Sequence, residues 1–317
     1  MLQFLARPLI AAILTALLAG AAVVARAEGG APPVVYSGEQ CPEPPRLKVA
    51  SAAVERLSDL RTVTGAGEHF TWVLLDQIRP QLEQRFNLRL ELIGRESMLG
   101  HGCNQGIKKA KENRSGHETF GFVCCPLTKE EVAKEGLTVH RVALEPLVII
   151  VNQANPITDV PLDKLRAVFR GEIRNWKELG GADRPIVLVL RPHCAQRPGH
   201  WKTIVPSIEQ FRKDRIEVKA EAEVVQGVSD FAEGIGTIGS TWTFEERHKV
   251  KVITVGGVAP TAENLKAGKY PFYQEQSIVT HGAVSPTLAG MIREVQGGAA
   301  FRAVAKKYEL LPVQPPH

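Results

Sequence analysis

Residues 161–191, PLDKLRAVFRGEIRNWKELGGADRPIVLVLR, constrain the fold of this chain more than any other segment. Leu162, Leu165 and Phe169 recur at helical spacing, and Gly171 stands where a helix ends in a left-handed cap. Trp176 and Leu179 are placed to pack back on that helix. Gly180-Gly181 then turns the chain into an unbroken apolar strand over residues 186–190. A helix that folds onto the strand that follows it is the repeating unit of an α/β protein.

The same alternation runs through the rest of the chain. A strand is predicted over residues 60–64, a turn at Gly65-Ala66-Gly67 and a helix over 68–86. Phe70, Val73, Leu74, Gln77, Ile78 and Leu82 give that helix one apolar face, and Pro80 should kink it. Further strands are expected at 88–93, 120–124 and 144–151, with helices at 105–113 and, capped by Thr128, at 129–134. Beyond residue 152 the reading continues with a helix within 200–213, a strand over 218–225 and a Gly-rich strand at 236–240. Such units imply mixed sheets flanked by helices. A chain of 317 residues divides more naturally into two lobes than one.

At the N-terminus, Arg7 precedes an apolar stretch over residues 8–24, and Ala25-Arg26-Ala27 has the small-x-small form of a cleavage site. Residues 1–27 therefore read as a secretory signal peptide, and 28–45, rich in Gly and Pro, as an irregular tail. Loss of Arg7 and Arg26 with the signal lowers the net charge from +5 to +3. Basic and acidic residues are interspersed, so neither a nucleic-acid surface nor stable membrane insertion of the mature chain is expected.

The 161–191 pattern resembles the phosphate-binding-protein family of type II periplasmic solute receptors. The residues that carry the likeness are Leu162, Leu165, Phe169, Gly171, Asn175, Trp176, Leu179, Gly180, Gly181 and Arg191. It returns at Gly236-Thr237-Ile238-Gly239, Pro260-Thr261, Asn264, Lys269-Tyr270-Pro271, Ile278-Val279, Ala300-Phe301 and Lys307-Tyr308. The resemblance implies a two-lobed α/β fold with a ligand cleft between the lobes. Lobe 1 would be formed by residues 46–151 and 276–317, and lobe 2 by 152–275. It also implies a periplasmic, monomeric binding protein, not an enzyme, that serves an ABC permease.

Family members hold an oxyanion with helix N-termini and with Ser and Thr hydroxyls in several loops, a chemistry suited to backbone donors and the helix dipole. Here each of these loops departs from that pattern. The first reads Gly65-Ala66-Gly67-Glu68-His69, and the second contains His101 and Cys103. The third is Cys124-Cys125 before Pro126-Leu127-Thr128; the fourth keeps Arg191 but continues Pro192-His193-Cys194-Ala195-Gln196-Arg197. Four of the five cysteines and three of the nine histidines thus fall in loops expected to face one cleft. Thiolate and imidazole suit soft or borderline metals such as Cu and Zn, so His69, Cys103, Cys125, His193 and Cys194 form a candidate metal or thiol-ligand set.

Other uses stay open at this level. Cys103 is a disulfide candidate with Cys124 or Cys125 in an oxidising compartment. Gly65, Gly67, Arg191 and Arg197 still suit an oxyanion. A redox or enzymatic protein on the same fold would draw on Cys194 beside His193, or on Cys125 with His69 and Glu68, whereas a sensor would carry the same signature as the receptor.

Overall fold

The computed structural model describes residues 60–93, 102–242 and 249–313. The expected signal peptide, the Gly/Pro-rich tail with Cys41, and His101 lie outside the described residues.

Among the described residues the strands are β1 (Arg61–Gly67), β2 (Leu88–Ile93), β3 (Glu118–Val123), β4 (Leu137–Asn152), β5 (Asp159–Val160), β6 (Val187–Leu190), β7 (Ile216–Glu217), β8 (Gly234–Gly239), β9 (Val250–Val255), β10 (Tyr273–His281) and β11 (Leu311–Pro312). The helices are α1 (His69–Phe86), α2 (Cys103–Lys111), α3 (Lys129–Glu135), α4 (Leu162–Arg170), α5 (Glu221–Asp230), α6 (Ala262–Lys266), α7 (Pro286–Gly297) and α8 (Ala299–Lys307). Hydrogen bonding runs β2-β1-β3-β10-β4-β8-β6-β7, with β11 and β9 also paired to β4. The sheet is mixed. β1 is parallel to β2 and β3, β6 is parallel to β7 and β8, and β4 and β10 run antiparallel to their neighbours.

One strand serves both halves. β4 pairs with β10 from Leu137 to Pro146, then with β8 from Leu147 to Val151. Each half has its own apolar core. Val63, Leu74, Ile78, Phe120, Phe122, Ile278 and Phe301 belong to the first. Leu147, Ile149, Leu165, Phe169, Trp176, Leu188 and Trp201 belong to the second. The fold is the two-lobed α/β architecture expected from the sequence.

The 161–191 segment folds as its pattern dictates. α4 ends at Gly171 with φ 81°, and Leu165 and Phe169 are buried on its inner face. The Asn175 side chain caps the 3-10 turn Trp176–Leu179, and Glu178 closes a capping box. The Trp176 indole donates to the Glu233 carbonyl at 2.9 Å.

Three local expectations are corrected. Gly65-Ala66-Gly67 is not a turn but the end of β1, in register with Phe120 to Phe122 of β3. Residues 200–213 form two short 3-10 turns, His200–Thr203 and Ile208–Gln210, because His200 adopts φ 54° and Pro206 between the turns cannot continue a helix. Residues 218–225 are not a strand. Val224, Val225 and Val228 are spaced for a helix, and α5 buries them while the Glu223 carboxylate accepts from the Ala220 N–H at 2.9 Å.

Two features of the fold position the site. The first is the approach of α2 to the sheet. A Cβ on Gly106 would sit inside contact distance of the Phe122 carbonyl oxygen, and one on Gly121 would meet the Gly106 carbonyl. Helix backbone rests directly on strand backbone, which sets the N-terminus of α2 beside the end of β3. Gly106→Ala is expected to lift α2 and cost about 1–3 kcal/mol, read by denaturant unfolding.

The second is Glu145, fully buried where β4 changes partners. It accepts from the Thr241 N–H and hydroxyl at 2.6 Å each, from Gln274 at 2.5 Å and from Gln276. A Cβ on Gly239 would stand 2.5 Å from its Oε1, so the pocket requires that glycine. Burial raises the Glu145 pKa despite these donors. A raised folded-state pKa stabilises below the unfolded value, near ~4.3, and that contribution is lost as the pH rises through the folded value. Glu145→Gln should therefore flatten the pH dependence of unfolding between acid and neutral conditions, measured by denaturant melts.

Candidate functional site

The end of β3 and the start of α2 bring three thiols together. Cys124 and Cys125 follow β3 directly, and Cys103 is the first residue of α2, after a Gly102 N-cap. Cys103 Sγ lies 3.4 Å from Cys124 Sγ and accepts from the Cys124 N–H at 3.2 Å. Cys124 Sγ is 3.7 Å from Cys125 Sγ. All four described cysteines are free thiols, so the expected disulfide is a close thiol contact in this structure.

The fourth thiol arrives from the other half of the molecule. The loop after β6 is anchored by Trp201, 1% exposed, whose indole donates to the His193 carbonyl at 2.7 Å. Cys194 takes φ 51°, a left-handed conformation that costs a non-glycine residue of order 1–3 kcal/mol. That turn delivers its sulfur to the cluster. The ligating atoms of Cys103, Cys125 and Cys194 all lie within 4.8 Å of one another, while Cys124 groups with Cys125 and His193.

His193 sits between backbone and thiol. Its Nδ1–H donates to the Arg191 carbonyl at 3.2 Å, which leaves Nε2 facing Cys124 Sγ at 3.6 Å. Its ring meets that of His200 edge-on, with centroids 4.0 Å apart. Burial, and then the Arg191 charge, push the His193 pKa down, so the ring is a neutral acceptor. Burial pushes His200 down further.

Both arginines of the loop are engaged by carboxylates. Arg191 contacts Glu221 at 2.6 Å and Glu68 at 3.6 Å, all three side chains being nearly inaccessible. Burial opposes the Arg191 charge, and Glu221 and then Glu68 more than restore it. Arg197 reaches across the cleft to Glu131 at 2.5 Å and to Asn104 at 2.7 Å, and its Nη1 lies 3.7 Å from Cys194 Sγ. Two guanidiniums thus face three carboxylates. Between these side chains opens a cavity of about 640 Å³, onto which Cys103 and Cys194 face with Asn104, Gln105, Thr128 and Gln196.

The thiols are not equivalent. Hydrogen bonds from Cys103, then from Cys124 and Cys125, hold the Cys194 pKa far below the ordinary thiol value against its burial, with Arg197 adding to the effect. Burial raises Cys103, but hydrogen bonds from Cys124 and Cys125 bring it to about 6. Burial above all raises Cys124, and donation to the Cys103 sulfur, before other causes, raises Cys125. Cys194 is also the most exposed of the four. Alkylation near neutral pH, below the free-thiol pKa of ~8.5, should therefore modify Cys194 ahead of Cys124 and Cys125. Mass-spectrometric peptide mapping checks this; first modification at Cys124 or Cys125 would contradict it.

The structure thus gathers Glu68, Cys103, Cys124, Cys125, Arg191, His193, Cys194 and Arg197 at one place. Gly65, Ala66 and Gly67 lie in β1 and are not among the residues that line the cavity. A Cβ on Gly65 would collide with the Phe120 ring, and Gly67 lies against the Phe122 backbone. His69 opens α1. Sequence reasoning missed Asn104, Glu131, His200 and Glu221. Glu131 carried a signal, since it stands three residues after the helix cap Thr128, whose hydroxyl accepts its N–H at 3.1 Å. Glu221 was hidden by reading its helix as a strand.

A family model described as the PBP superfamily domain matches residues 73–297. The chain belongs to that superfamily. It is 31% identical over 155 residues to the phosphate-binding protein PstS of Bacillus subtilis, across 49% of this chain and 50% of that protein. To PstS of Borreliella burgdorferi it is 29% identical over 163 residues, across 49% of this chain and 58% of that protein. The chain spans about half the length of the curated relatives it matches. Among solved structures, a putative phosphate ABC transporter substrate-binding protein with bound phosphate from Clostridium perfringens superposes with a TM-score of 0.66 at 21% identity, over 80% of this chain and 100% of that one. A phosphate transport receptor from Vibrio cholerae gives 0.57 at 21% identity, over 80% and 100%. These likenesses show a substrate-binding fold related to phosphate-binding proteins. No helix among the described residues is long and apolar enough to cross a membrane.

Proposed function

We propose that this protein is an extracytoplasmic solute receptor whose cleft takes a thiophilic ligand, a soft transition-metal ion such as Cu(I) or Zn(II) or a thiol-reactive species, in place of an oxyanion. The observation that carries this reading is the convergence of four thiols from three segments of the chain at one cleft. Cys103, Cys124 and Cys125 come from one half and Cys194 from the other, so a ligand bound to both sides would favour lobe closure, the motion by which such receptors retain a solute. Membership of the substrate-binding superfamily supports delivery to an ABC permease after export through the N-terminal signal.

The charge arrangement supports the same reading. A phosphate in this cavity would face Glu68 and Glu131. Recruiting Arg191 to it would strip a buried carboxylate of its partner, a change that costs roughly 3–5 kcal/mol. The competing reading, a phosphate-like oxyanion receptor, draws on the named ligands of the relatives and on the retained Arg191. It would have Arg191 or Arg197 share its N–H donors with carboxylates contacted at 2.6 and 2.5 Å.

Titration of the reduced mature protein with Cu(I), Zn(II) and phosphate, followed by native mass spectrometry, separates the two. A stoichiometric thiophile complex weakened about a hundredfold or more by Cys194→Ser, with no phosphate adduct, is the expected outcome. A phosphate adduct that survives Cys194→Ser, with no metal bound, would return the chain to the oxyanion receptors.

A further inference from the structure

Three of the four thiols form a set that draws on both halves of the molecule: the sulfurs of Cys103, Cys125 and Cys194 are all mutually within 4.8 Å. Cys124 packs against that set, 3.4 Å from Cys103 and 3.7 Å from Cys125, and its sulfur also faces Nε2 of His193 at 3.6 Å. Cys103 and Cys194 line the cavity, and Cys125, 1% exposed, is buried within reach of both sulfurs.

Charge narrows the choice of ligand. Among the described residues that line the cavity, the cations are Arg191 and Arg197, and both are matched by carboxylates of Glu68, Glu221 and Glu131. A divalent ion on four thiolates would leave two further negative charges in this nearly inaccessible place, at a heavy desolvation cost. A trivalent centre on three thiolates carries no net charge. Its hydroxide, E(OH)3, is also uncharged at neutral pH and can enter a cleft that repels anions.

We infer that Cys103, Cys125 and Cys194 form a three-thiol capture site for a trivalent p-block hydroxide, of which arsenite, As(OH)3, is the type. This inference rests on the thiophilic reading of the cleft given above. Three As–O bonds break and three As–S bonds form. A hydroxide displaced by a protonated thiol leaves as water with the thiol proton, and one displaced by a sulfur already ionised, such as Cys194, takes its proton from solvent, so three waters are released. Arsenic remains trivalent and no electrons are transferred, so no oxidant or reductant is needed. The product is a neutral pyramidal tris-thiolate, with Cys194 tying the loop after β6 to the first half of the molecule.

The test is titration of the reduced mature protein with arsenite, alongside Zn(II), Cu(I) and phosphate. Native mass spectrometry gives the stoichiometry, and X-ray absorption at the arsenic edge counts the sulfur neighbours. The expected result is one arsenic per chain with three sulfurs and no oxygen. Cys103→Ser, Cys125→Ser and Cys194→Ser should each weaken binding about a hundredfold or more. Circular dichroism of each variant confirms that it is folded, and the sulfur count on the wild-type protein decides the matter where one is not. An arsenic site with two sulfurs and an oxygen, or one that keeps its affinity in a folded variant lacking any of these three thiols, would overturn the inference. A Zn(II) or Cu(I) complex of four sulfurs without arsenite binding would overturn it while leaving the thiophilic reading intact. Phosphate binding without any thiophile would overturn both.

Discussion

The contact of α2 backbone with β3 backbone at Gly106 and Gly121 is the constraint on which the cleft depends. Any side chain at either position would hold the helix off the sheet. Because the helix rests directly on the strand, its first residue, Cys103, falls beside the residues that leave β3, Cys124 and Cys125. The same strand end accepts the Glu68 N–H at the Phe122 carbonyl, which fixes where β1 hands over to α1. Three of the loops that build the site are thus referred to one backbone contact.

Electrostatics complete the arrangement. A buried guanidinium is tolerable only beside carboxylates, and Arg191 has two of them while Arg197 has Glu131. Two of these three pairs, Arg191–Glu68 and Arg197–Glu131, cross the cleft, so they join the two halves as well as neutralising the loop. Their consequence is chemical. The arginines that would attract an oxyanion are engaged by carboxylates, and the other polar groups facing the cavity are thiols, amides, a threonine and the His193 imidazole. Beneath the cleft, Glu145 is held by donors from β10 and from the turn after β8, at the place where β4 passes from one half to the other. A buried carboxylate at that crossing ties the two strand systems together through hydrogen bonds that water cannot replace.

Much of this was legible in the chain. α4, its Gly171 cap and the packing of Trp176 follow from local spacing, since caps and helical faces are set by residues within a few positions of each other. The gathering of Cys103, Cys124, Cys125, His193 and Cys194 followed from their places in loops of a known topology. The errors came where local pattern was ambiguous. The valines of α5 suit a strand or a helix, and tertiary packing chose the helix. Residues 65–67 look like a turn, yet their glycines are there to let β1 lie against Phe120 and Phe122.

The sequence by itself determined the alternation of helix and strand, the two-lobed class and the residue types brought to the cleft, because each depends on spacing and side-chain chemistry along the chain. Only the tertiary structure decided which thiols meet, which arginine is neutralised by which carboxylate, and that Cys194 from the other half joins Cys103 and Cys125. Those outcomes depend on distances between residues tens of positions apart. They are fixed by backbone packing and by the left-handed turn at Cys194, neither of which has a one-dimensional signature.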